Sequence, residues 1–391
     1  MFMGYVRLIP SMVEYAEAFR KLDPLDFEII KAMYSFGVSN ISRLAKAIGV
    51  PQQTVSYRVK KFDDQNLVLF RALINEAKLG LKSYVVVASV QFGKENVSSM
   101  ALTCFPLWRY LAIVDGWKHG CYVRYAIPPD KERDLEAFLN ELKRRGLISE
   151  FEIFPTTSPN YPLLNLDFYR EGRGIPVFNW DKWVKDYDSF QEAEFKEPTG
   201  YEKARFDLYD LVILRCLEIN ARMTQRSIVK EMARIIGEKE HGRLIPLVSR
   251  RLREDIMAQG LIVGYRAYLF PNPEPTAQFI TCYLTFPNSS SLRKFLSGLS
   301  HLPYNTGYEK VLGRNELYVR LILPVYEFSA LRKSLMELAE RGYLSDARLL
   351  IGDLAHATWD NVEIYQMHKD GAWNFSYGVA IEMLENVTSK R

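Results

Sequence analysis

The stretch Pro51–Phe62 reads Pro-Gln-Gln-Thr-Val-Ser-Tyr-Arg-Val-Lys-Lys-Phe and organises the amino-terminal part of the chain. Val55, Val59 and Phe62 recur at helical spacing, so they form one apolar stripe of a helix. The opposite face is polar, basic and free of acids. Any amphipathic helix has a solvated polar face. From the stripe alone, an ordinary solvated face and a DNA-binding face are therefore equally well supported.

Two further helices are predicted before this stretch. Asn40–Ile48 is amphipathic and ends at Gly49, and a Gly-Val-Pro turn leads from it into the stretch. Within Leu22–Met33, apolar residues at helical spacing follow Asp23, which is a favourable N-cap. The β-rich segment Leu67–Ile74 follows the stretch and leads towards a second strand. Three helices followed by a strand pair predict a winged helix-turn-helix.

Composition places few limits on function. The chain has 391 residues, of which 48% are hydrophobic and 25% charged, so it can form several globular domains. The net charge of +4 is mild, so affinity for nucleic acid must come from local clusters of positive charge. No apolar run approaches the roughly 20 residues that span a bilayer, which predicts a cytoplasmic protein without a membrane partner.

Motifs for catalysis and metal binding are missing from the sequence. The four cysteines have no C-x-x-C pair and the five histidines show no ligand spacing, so the sequence predicts neither a metal site nor a cofactor. We expect buried thiols at Cys104, Cys121, Cys216 and Cys282. Phosphate-binding loops, zinc-protease motifs and nucleophile elbows are absent as well. The pattern favours a protein that is not an enzyme.

Hydrophobic patterning changes after the first strand. Strands and helices are predicted in the order βαββαβ, at Ser83–Phe92, Glu95–Phe105, Trp108–Asp115, Cys121–Ile127, Asp130–Arg145 and Phe151–Phe154. This order is typical of a ferredoxin-like plait.

The chain then repeats itself. Tyr122-Val-Arg124 returns as Tyr318-Val-Arg320, and the matches at the same offset include Leu135 with Leu331, Leu142 with Leu338, Arg145-Gly146 with Arg341-Gly342, Asn165 with Asn361 and Tyr169 with Tyr365. With small insertions, the first part of the unit also returns, as Asp23 and Asp26 with Asp207 and Asp210, Gly49 with Gly237, and Val55-Ser56 with Val248-Ser249. So many matches in one order predict a tandem duplication.

The duplication predicts an α+β protein in which two winged helix-turn-helix domains alternate with two ferredoxin-like plaits. The predicted boundaries are 1–82 for an N-terminal extension with the first winged helix, 83–157 for the first plait, 158–200 for an aromatic and then acidic linker, 201–275 for the second winged helix, 276–355 for the second plait and 356–391 for an aromatic C-terminal extension. Because the linker and the C-terminal extension are rich in aromatic residues, we expect both to pack on a domain.

The repeated unit resembles the Lrp/AsnC (feast/famine) transcription regulators of archaeal type, which join a winged helix to a βαββαβ effector domain. The likeness covers roughly residues 22–156 and 206–353, and it rests on Asp23, Asp26, Ile41-Ser-Arg-Leu-Ala45, Gly49-Val-Pro51, Thr54-Val55, Arg58-Val59 and Ala77-Lys-Leu-Gly80. The resemblance implies regulation of transcription by binding to double-stranded DNA. It also implies plaits paired face to face, so the duplicate is expected to form a pseudo-dimer within one chain, and two such chains are a candidate homodimer.

On this interpretation the DNA-contacting residues lie on the outer faces of two recognition helices, Pro51–Phe62 and Ile245–Ile256. The candidates are Gln52, Gln53, Thr54, Ser56, Tyr57, Arg58, Lys60 and Lys61 in the first copy and Arg243, Ser249, Arg250, Arg251 and Arg253 in the second. Arg58 and Arg251 follow the core valines by three residues, where the side chain either braces the helix or clamps a phosphate. A two-fold arrangement places the helices about 34 Å apart, one turn of DNA.

The two recognition helices differ at their amino-terminal ends. Residues 52–54 (Gln-Gln-Thr) correspond to residues 245–247 (Ile-Pro-Leu), which follow a longer loop at Glu238–Arg243. Gln pairs with adenine, whereas Ile or Leu offers only apolar contact to a thymine methyl. The sequence therefore predicts a non-palindromic operator. The alternative is that Ile245 and Leu247 are buried beneath the loop and read nothing.

The resemblance also places an effector site at the turn between the second and third plait strands, usually Gly-x-x-Asp. The turn reads Gly116-Trp-Lys-His119 in the first copy and Gly313-Arg-Asn-Glu316 in the second, and neither keeps the Asp. Gly116, His119, Gly313 and Glu316 are therefore candidates for a small-molecule effector site. The alternative, which we favour, is that both turns are simply tight strand connections.

One enzyme class resembles the same architecture, since sirohaem decarboxylases combine winged helices and plaits in two related halves. That resemblance rests on His, Arg and Tyr near the plait turn, and the residues that supply this chemistry here are Arg109, Tyr110, Lys118, His119, Tyr122, Tyr308, Arg314 and Arg320. Their spacing departs from the pattern of that family, and basic recognition helices have no purpose in such an enzyme. A third interpretation is a protein-binding scaffold that has lost DNA contact, because winged helices and aromatic surfaces also bind proteins.

Overall fold

The computed structural model describes residues 19–38, 40–65, 67–169, 178–195, 203–237, 241–269, 276–352, 358–361, 363–369 and 371–388. Its first three helices form the predicted helix-turn-helix and are α1 (Pro24–Phe36), α2 (Ile41–Ile48) and α3 (Gln52–Asp64). Asp23 and Asp26 form a capping box at the start of α1. Gly49 ends α2 in the left-handed conformation, at φ +69°, which glycine adopts without steric cost.

The first plait follows a single strand, β1 (Leu69–Ile74). Its elements are β2 (Lys82–Ser89), α4 (Glu95–Leu102), β3 (Trp108–Gly116), β4 (Gly120–Ile127), α5 (Glu132–Arg144) and β5 (Glu150–Thr156). The strands lie in the order β5-β2-β4-β3 and are antiparallel throughout. This confirms the predicted βαββαβ plait, with element ends shifted by a few residues.

The second helix-turn-helix follows the linker helix α6 (Trp180–Lys185). Its helices are α7 (Leu208–Ile219), α8 (Gln225–Ile236) and α9 (His241–Arg251). Asp207 and Asp210 repeat the capping box at the start of α7, and Gly237 repeats the left-handed end of the second helix at φ +78°. The same local signals therefore build the same turn twice.

The predicted bounds of the second recognition helix, Ile245–Ile256, are wrong. The helix α9 already begins at His241, so residues 241–243 of the expected loop are helical, while 238–240 lie outside the described residues. Pro246 lies inside α9, where its ring removes one main-chain hydrogen bond. Beyond α9 the chain continues in a π-helical segment, Leu252–Met257.

The strand pair predicted within each winged helix is formed between the two copies instead. The strand β1 pairs antiparallel with β6 (Ile262–Tyr268), so that Leu69 faces Tyr268 and Arg71 faces Arg266. Because β2 belongs to the plait sheet, β1 has an open hydrogen-bonding edge in its own copy, and the edge of β6 satisfies it. We call the pair of β1 and β6 the shared ribbon.

The second plait repeats the first. Its elements are β7 (Ala277–Thr285), α10 (Ser289–Leu299), β8 (Asn305–Lys310), β9 (Glu316–Pro324), α11 (Phe328–Glu340) and β10 (Asp346–Gly352). The strands lie in the order β10-β7-β9-β8, which mirrors the first plait. The α+β class with helix-turn-helix and ferredoxin-like units is therefore confirmed.

The two plaits pair with each other within the chain. Along one edge β3 lies antiparallel to β10, with Gly116 opposite Leu350, and near the other edge Thr156 bridges to Val311. The sheet faces enclose a common core of Val85, Val87, Tyr110, Ala112, Val114, Tyr122, Phe154, Phe279, Tyr283, Val311, Tyr318 and Leu350. The pairing is therefore face to face, with the edges joined.

The segments after each plait cross to the other half. Asn160 bridges to Tyr308 of β8, and Trp183 of α6 donates its indole N–H to the carbonyl of Gly298 at 3.0 Å. After the second plait, β11 (Thr358–Asp360) pairs with β3. A hairpin of β12 (His368–Lys369) and β13 (Ala372–Trp373) follows it. The last helix, α12 (Tyr377–Thr388), packs on α4 and α5. Both aromatic segments thus pack on a domain, as their composition predicts.

Among the described residues, no helix is both long enough and apolar enough to cross a membrane. Across those same ranges, no three side chains of His, Cys, Asp or Glu lie close enough together to hold a metal ion. The four cysteines are buried free thiols, as predicted, and burial raises the pKa of Cys121 and Cys282 to about 12.

Candidate nucleic-acid interface

The outward face of α3 carries most of the predicted DNA-contacting residues of the first copy. Val55, Val59 and Phe62 are buried and hold the helix on the core. The exposed residues are Gln52, Gln53, Ser56, Tyr57 and Lys60, whereas Thr54 and Lys61 are half-buried. The ring of Tyr57 is 72% exposed, so it is available for contact with a partner. The exposed set is polar and includes the cation Lys60, while the acids Asp63 and Asp64 are exposed at the end of the same helix.

Arg58 does not belong to this outward set. Its guanidinium donates to Asp23 at 2.6 Å and to Asp26 at 2.8 Å, the two acids of the α1 capping box. Arg251 repeats the arrangement with the capping-box acids of α7, at 2.8 and 2.9 Å. Two roles were expected for these arginines, to brace the helix or to clamp a phosphate, and their ion pairs show that they brace the helix. Each recognition helix is therefore fixed to the start of the first helix in its own unit.

The second recognition helix presents a different surface. Arg250 and Arg253 are exposed, whereas Ser249 and Arg251 are half-buried. The alternative that a loop buries both apolar residues is wrong for Ile245, which is 38% exposed, while Leu247 is half-buried and packs against the core. The side chain of Arg243 lies outside the described part of the structure.

One contact that the sequence does not predict joins the two units beside the first recognition helix. Arg222, in the turn before α8, donates to the carboxylate of Asp63 near the end of α3 at 2.9 and 3.1 Å. It also donates to the main-chain carbonyl of Val38 at 2.5 Å. The pair is separated by 159 residues in sequence, and no local pattern marks it. It fixes α3 against the second unit.

The first candidate effector turn is part of the seam between the plaits. Gly116 has φ +128°, and a Cβ at this position would lie 2.4 Å from the carbonyl oxygen of Leu349, next to Leu350 of the paired strand. Glycine is required because β10 approaches so closely. His119 lies between Asp115 and Glu95, with 2.8 Å between its Nε2 and the Glu95 carboxylate. These contacts match a tight strand connection.

The second candidate turn is more open. Gly313 adopts a left-handed φ of +70°, and Glu316 accepts a hydrogen bond from the hydroxyl of Tyr283 at 2.6 Å. The turn borders a cavity of about 300 Å³ whose lining includes Phe195, Ser289, Leu292, Arg293, Lys310 and Arg314. This volume lies at the lower end of the range for ligand pockets, so the second turn has room for a small molecule.

A pH-dependent contribution to stability is predicted for His119. The hydrogen bond to Asp115, together with Glu95, raises the pKa of His119 above its usual 6.5. Its stabilisation is therefore fully present below about pH 6.5 and is lost as the pH rises through the raised value. We expect His119→Gln to lower the urea midpoint more at about pH 5.5 than at about pH 8.5. An equal decrease at both pH values would contradict the charged pairing.

Of the residues that suggested a tetrapyrrole enzyme, Tyr110, Tyr122 and Arg320 lie together, with the Arg320 guanidinium 5.1 Å from the ring centroid of Tyr110. Tyr110 and Tyr122 lie in the core between the sheets with ring centroids 6.0 Å apart. Lys118 pairs with Glu152 at 2.7 Å. Arg109 lies beside a cavity of about 60 Å³, against roughly 300–1,000 Å³ for common ligand pockets. The cluster of Tyr110, Tyr122 and Arg320 therefore does not include Lys118 or His119, which have acidic partners of their own.

Comparisons with known proteins add to this geometry. No protein-family profile matches the chain. Over 68 residues, or 17% of its length, the chain is 38% identical to an uncharacterized HTH-type transcriptional regulator of Pyrococcus furiosus, and the match spans 46% of that relative. The crystal structure of the siroheme decarboxylase NirDL is similar over 97% of this chain and 99% of its own, with a TM-score of 0.50 and 11% identity. An AsnC family regulator from Agrobacterium tumefaciens is similar over 38% of this chain and 99% of its own, with a TM-score of 0.31 and 18% identity.

At 11% identity the likeness to NirDL shows a shared fold alone, over nearly the whole of both chains. The match with the Pyrococcus furiosus regulator spans 46% of that relative, so the chain covers about half the length of the curated relative that it matches.

Proposed function

We propose that the chain is a sequence-specific, double-stranded DNA-binding transcription regulator and not an enzyme. Its two non-identical recognition helices are presented by two plaits that pair within one chain. The observation that carries the proposal is an outward polar face with exposed cations in each copy, Lys60 in the first and Arg250 and Arg253 in the second. Phosphate contact requires such local positive charge on an outward surface.

The way in which the helices are held supports this proposal. Arg58 and Arg251 brace each recognition helix against its own unit, and Arg222 ties the first recognition helix to the second unit. The shared ribbon joins the two units directly. Recognition helices that dock on two half-sites need a fixed separation, which these contacts supply.

A small-molecule effector is proposed for the second plait turn only. The turn at 313–316 borders the larger cavity, whose lining includes Arg293, Lys310 and Arg314. Arg293 pairs with Glu192 and Arg314 with Glu316, so the cavity suits a polar small molecule. The first turn is occupied by the contacts of Gly116 and His119.

Genomic footprinting followed by a salt titration on a recovered site tests the proposed function. We expect discrete protected sites and an affinity that falls steeply with salt, because each phosphate contact contributes about −0.9 to the slope of log affinity against log salt. A slope near zero, or protection without any preferred sequence, would contradict a DNA-binding regulator. A duplex of scrambled sequence serves as the control for non-specific binding.

A tetrapyrrole enzyme is the second candidate function, because the similarity to NirDL extends over nearly the whole chain. The dispersal of Tyr110, Lys118 and His119 opposes it. Mixing the purified protein with an iron tetrapyrrole distinguishes the two functions. A shifted Soret band would favour the enzyme, and an unchanged spectrum is expected for the regulator.

A further inference from the structure

The turn between α7 and α8 of the second unit lies against the first unit. Ala221 in this turn is buried, and its main-chain N–H donates to the carbonyl of Phe70 in β1 at 2.8 Å. The side chain of Asn220 accepts from the N–H of Arg222 at 2.8 Å, which holds the turn in shape. Because β1 follows the first recognition helix in the chain, the second unit is attached directly to the segment that leads out of α3.

Arg222 uses all three nitrogens of its guanidinium in this contact. Its Nε and Nη2 donate to the two oxygens of the Asp63 carboxylate at 3.1 and 2.9 Å, the paired geometry that a guanidinium makes with a carboxylate. Its Nη1 donates to the main-chain carbonyl of Val38 at 2.5 Å. Asp63 lies near the end of α3 and Val38 lies in the turn before α2. We call the hydrogen bonds that Arg222 makes to Asp63 and Val38 the clasp.

The clasp affects position more than stability. The side chain of Arg222 is 17% exposed and that of Asp63 is 42% exposed, and ion pairs this close to solvent contribute little to the free energy of unfolding. The planar guanidinium is nevertheless held by hydrogen bonds in three directions, so its geometry is more restricted than that of a single contact. The end of α3 is therefore fixed relative to the turn that leads into α8.

Arg222 has no charged counterpart in the first unit. Asn40 and Thr224 are the N-caps of α2 and α8, and the residues two positions before them are Val38 and Arg222. The Arg222 guanidinium donates to the carbonyl of Val38, so these corresponding residues meet between the units. Since valine has no side-chain donor, only the second unit supplies a cation at this contact.

Asp63 likewise has no acidic counterpart in the second unit. The carbonyls of Phe62 and Ile256 both accept a hydrogen bond from a leucine that precedes the ribbon strand, so these two residues correspond. The next residue is Asp63 in the first unit and Met257 in the second, and methionine cannot form an ion pair. The clasp therefore takes its cation from one copy and its acid from the other. A symmetric homodimer forms such a contact twice or not at all, whereas a duplicated chain can form it once.

We propose that the clasp of Arg222 and Asp63 sets the separation of the two recognition helices and thereby determines which spacing of DNA half-sites the chain accepts. The consequence for DNA rests on the proposed function. Arg58 fixes α3 to its own unit, the clasp fixes its end to the second unit, and α8 packs against α9. One added base pair moves a half-site by about 3.4 Å and rotates it by about a tenth of a turn. Helices held at one separation cannot follow that displacement.

Distances between spin labels on the full chain test the clasp without DNA. The four native cysteines are buried, so labels attach to cysteines introduced at the exposed positions, as Ser56→Cys in α3 and Arg250→Cys in α9. We expect one narrow distance distribution in this labelled chain, and a distribution at least about twice as wide when Arg222→Ala or Asp63→Ala is added. Exchanging the charges, with Arg222→Asp and Asp63→Arg together, should narrow the distribution again.

The matched control is Arg144→Ala. Arg144 makes a similar paired contact with Glu141, at 2.6 and 2.7 Å, but both residues belong to α5 of the first plait. This variant should keep the narrow distribution. Thermal unfolding shows whether each variant is folded. An unchanged width in both Arg222→Ala and Asp63→Ala would overturn the proposal.

A series of duplexes tests the consequence for DNA. The half-sites of a recovered site are placed from two base pairs closer to two base pairs further apart, and the affinity is measured for each duplex. We expect the wild type to prefer one spacing at least tenfold, and Arg222→Ala and Asp63→Ala to reduce that preference below about threefold. If Arg222→Ala weakens binding equally at every spacing and Asp63→Ala changes nothing, then Arg222 contacts phosphate and the proposal is wrong. Absence of binding to every duplex removes the proposed function, and the spin-label distances then decide the clasp alone.

Discussion

Replacing Lys60, Lys61, Arg250 and Arg253 with alanine is expected to weaken DNA binding by roughly a hundred- to a thousand-fold at about 0.15 M salt. Lys60 and Arg250 are exposed on the recognition helices, Arg253 is exposed in the π-helical segment that follows α9, and none of the four lies in the core. Each phosphate contact that is lost removes about 0.9 from the salt slope, so the slope should flatten by roughly three to four. Fluorescence anisotropy with a labelled recovered site, repeated over a series of salt concentrations, measures both quantities.

A matched variant removes the same charge from a different surface. Lys143, Arg144, Arg332 and Lys333 are exposed on α5 and α11 of the plaits, and alanine at these four positions should leave the affinity and the slope nearly unchanged. If both quadruple variants lose affinity equally, the binding reflects net charge alone. If neither does, the recognition helices do not contact DNA.

The second large effect is expected on stability. Glu76→Ala should lower the free energy of unfolding by about 3–5 kcal/mol, because it leaves the buried guanidiniums of Arg109 and Arg124 without the carboxylate that they share. The pKa of Glu76 is held below its usual 4.5, so its stabilisation is present above about pH 4.5 and is lost as the pH falls through the lowered value. Urea unfolding of both proteins at about pH 7 measures the difference.

A carboxylate on the surface of the same plait provides the control. Glu150, at the start of β5, lies 3.6 Å from Lys118 and has a side chain that is 70% exposed. Glu150→Ala should cost less than about 0.5 kcal/mol. A loss below about 1 kcal/mol in Glu76→Ala would show that the buried network contributes little to stability.

Local signals in the sequence predict the helices that carry the candidate site. The capping box of Asp23 and Asp26 and the left-handed turn at Gly49 act within a few residues, so both can be recognised from sequence and both are repeated in the second copy. Pro246 shows the limit of such signals. Proline is unfavourable inside a helix, yet α9 begins at His241 instead of the predicted Ile245 and contains Pro246.

Contacts between the two halves could not be predicted in the same way. The duplication is visible in the sequence, yet the open edge of β1 carries no mark that selects β6 as its partner. That pairing places Arg71 opposite Arg266, and both residues line the small cavity of about 60 Å³ that Arg124 also lines. The ion pair of Arg222 with Asp63 likewise depends on the tertiary arrangement alone.

The difference between the two recognition helices is tested most directly by selection of binding sites from random duplexes. Gln52 and Gln53 are exposed at the start of α3, whereas α9 offers Ile245 and Arg250. Gln pairs with adenine and Arg with guanine, so we expect a non-palindromic consensus with adenine preferred in one half-site. Gln53→Ala should relax the adenine preference in that half only, and Arg250→Ala should relax the other half. A perfectly palindromic consensus, or one that Gln53→Ala leaves unchanged, would show that the two helices read DNA equivalently.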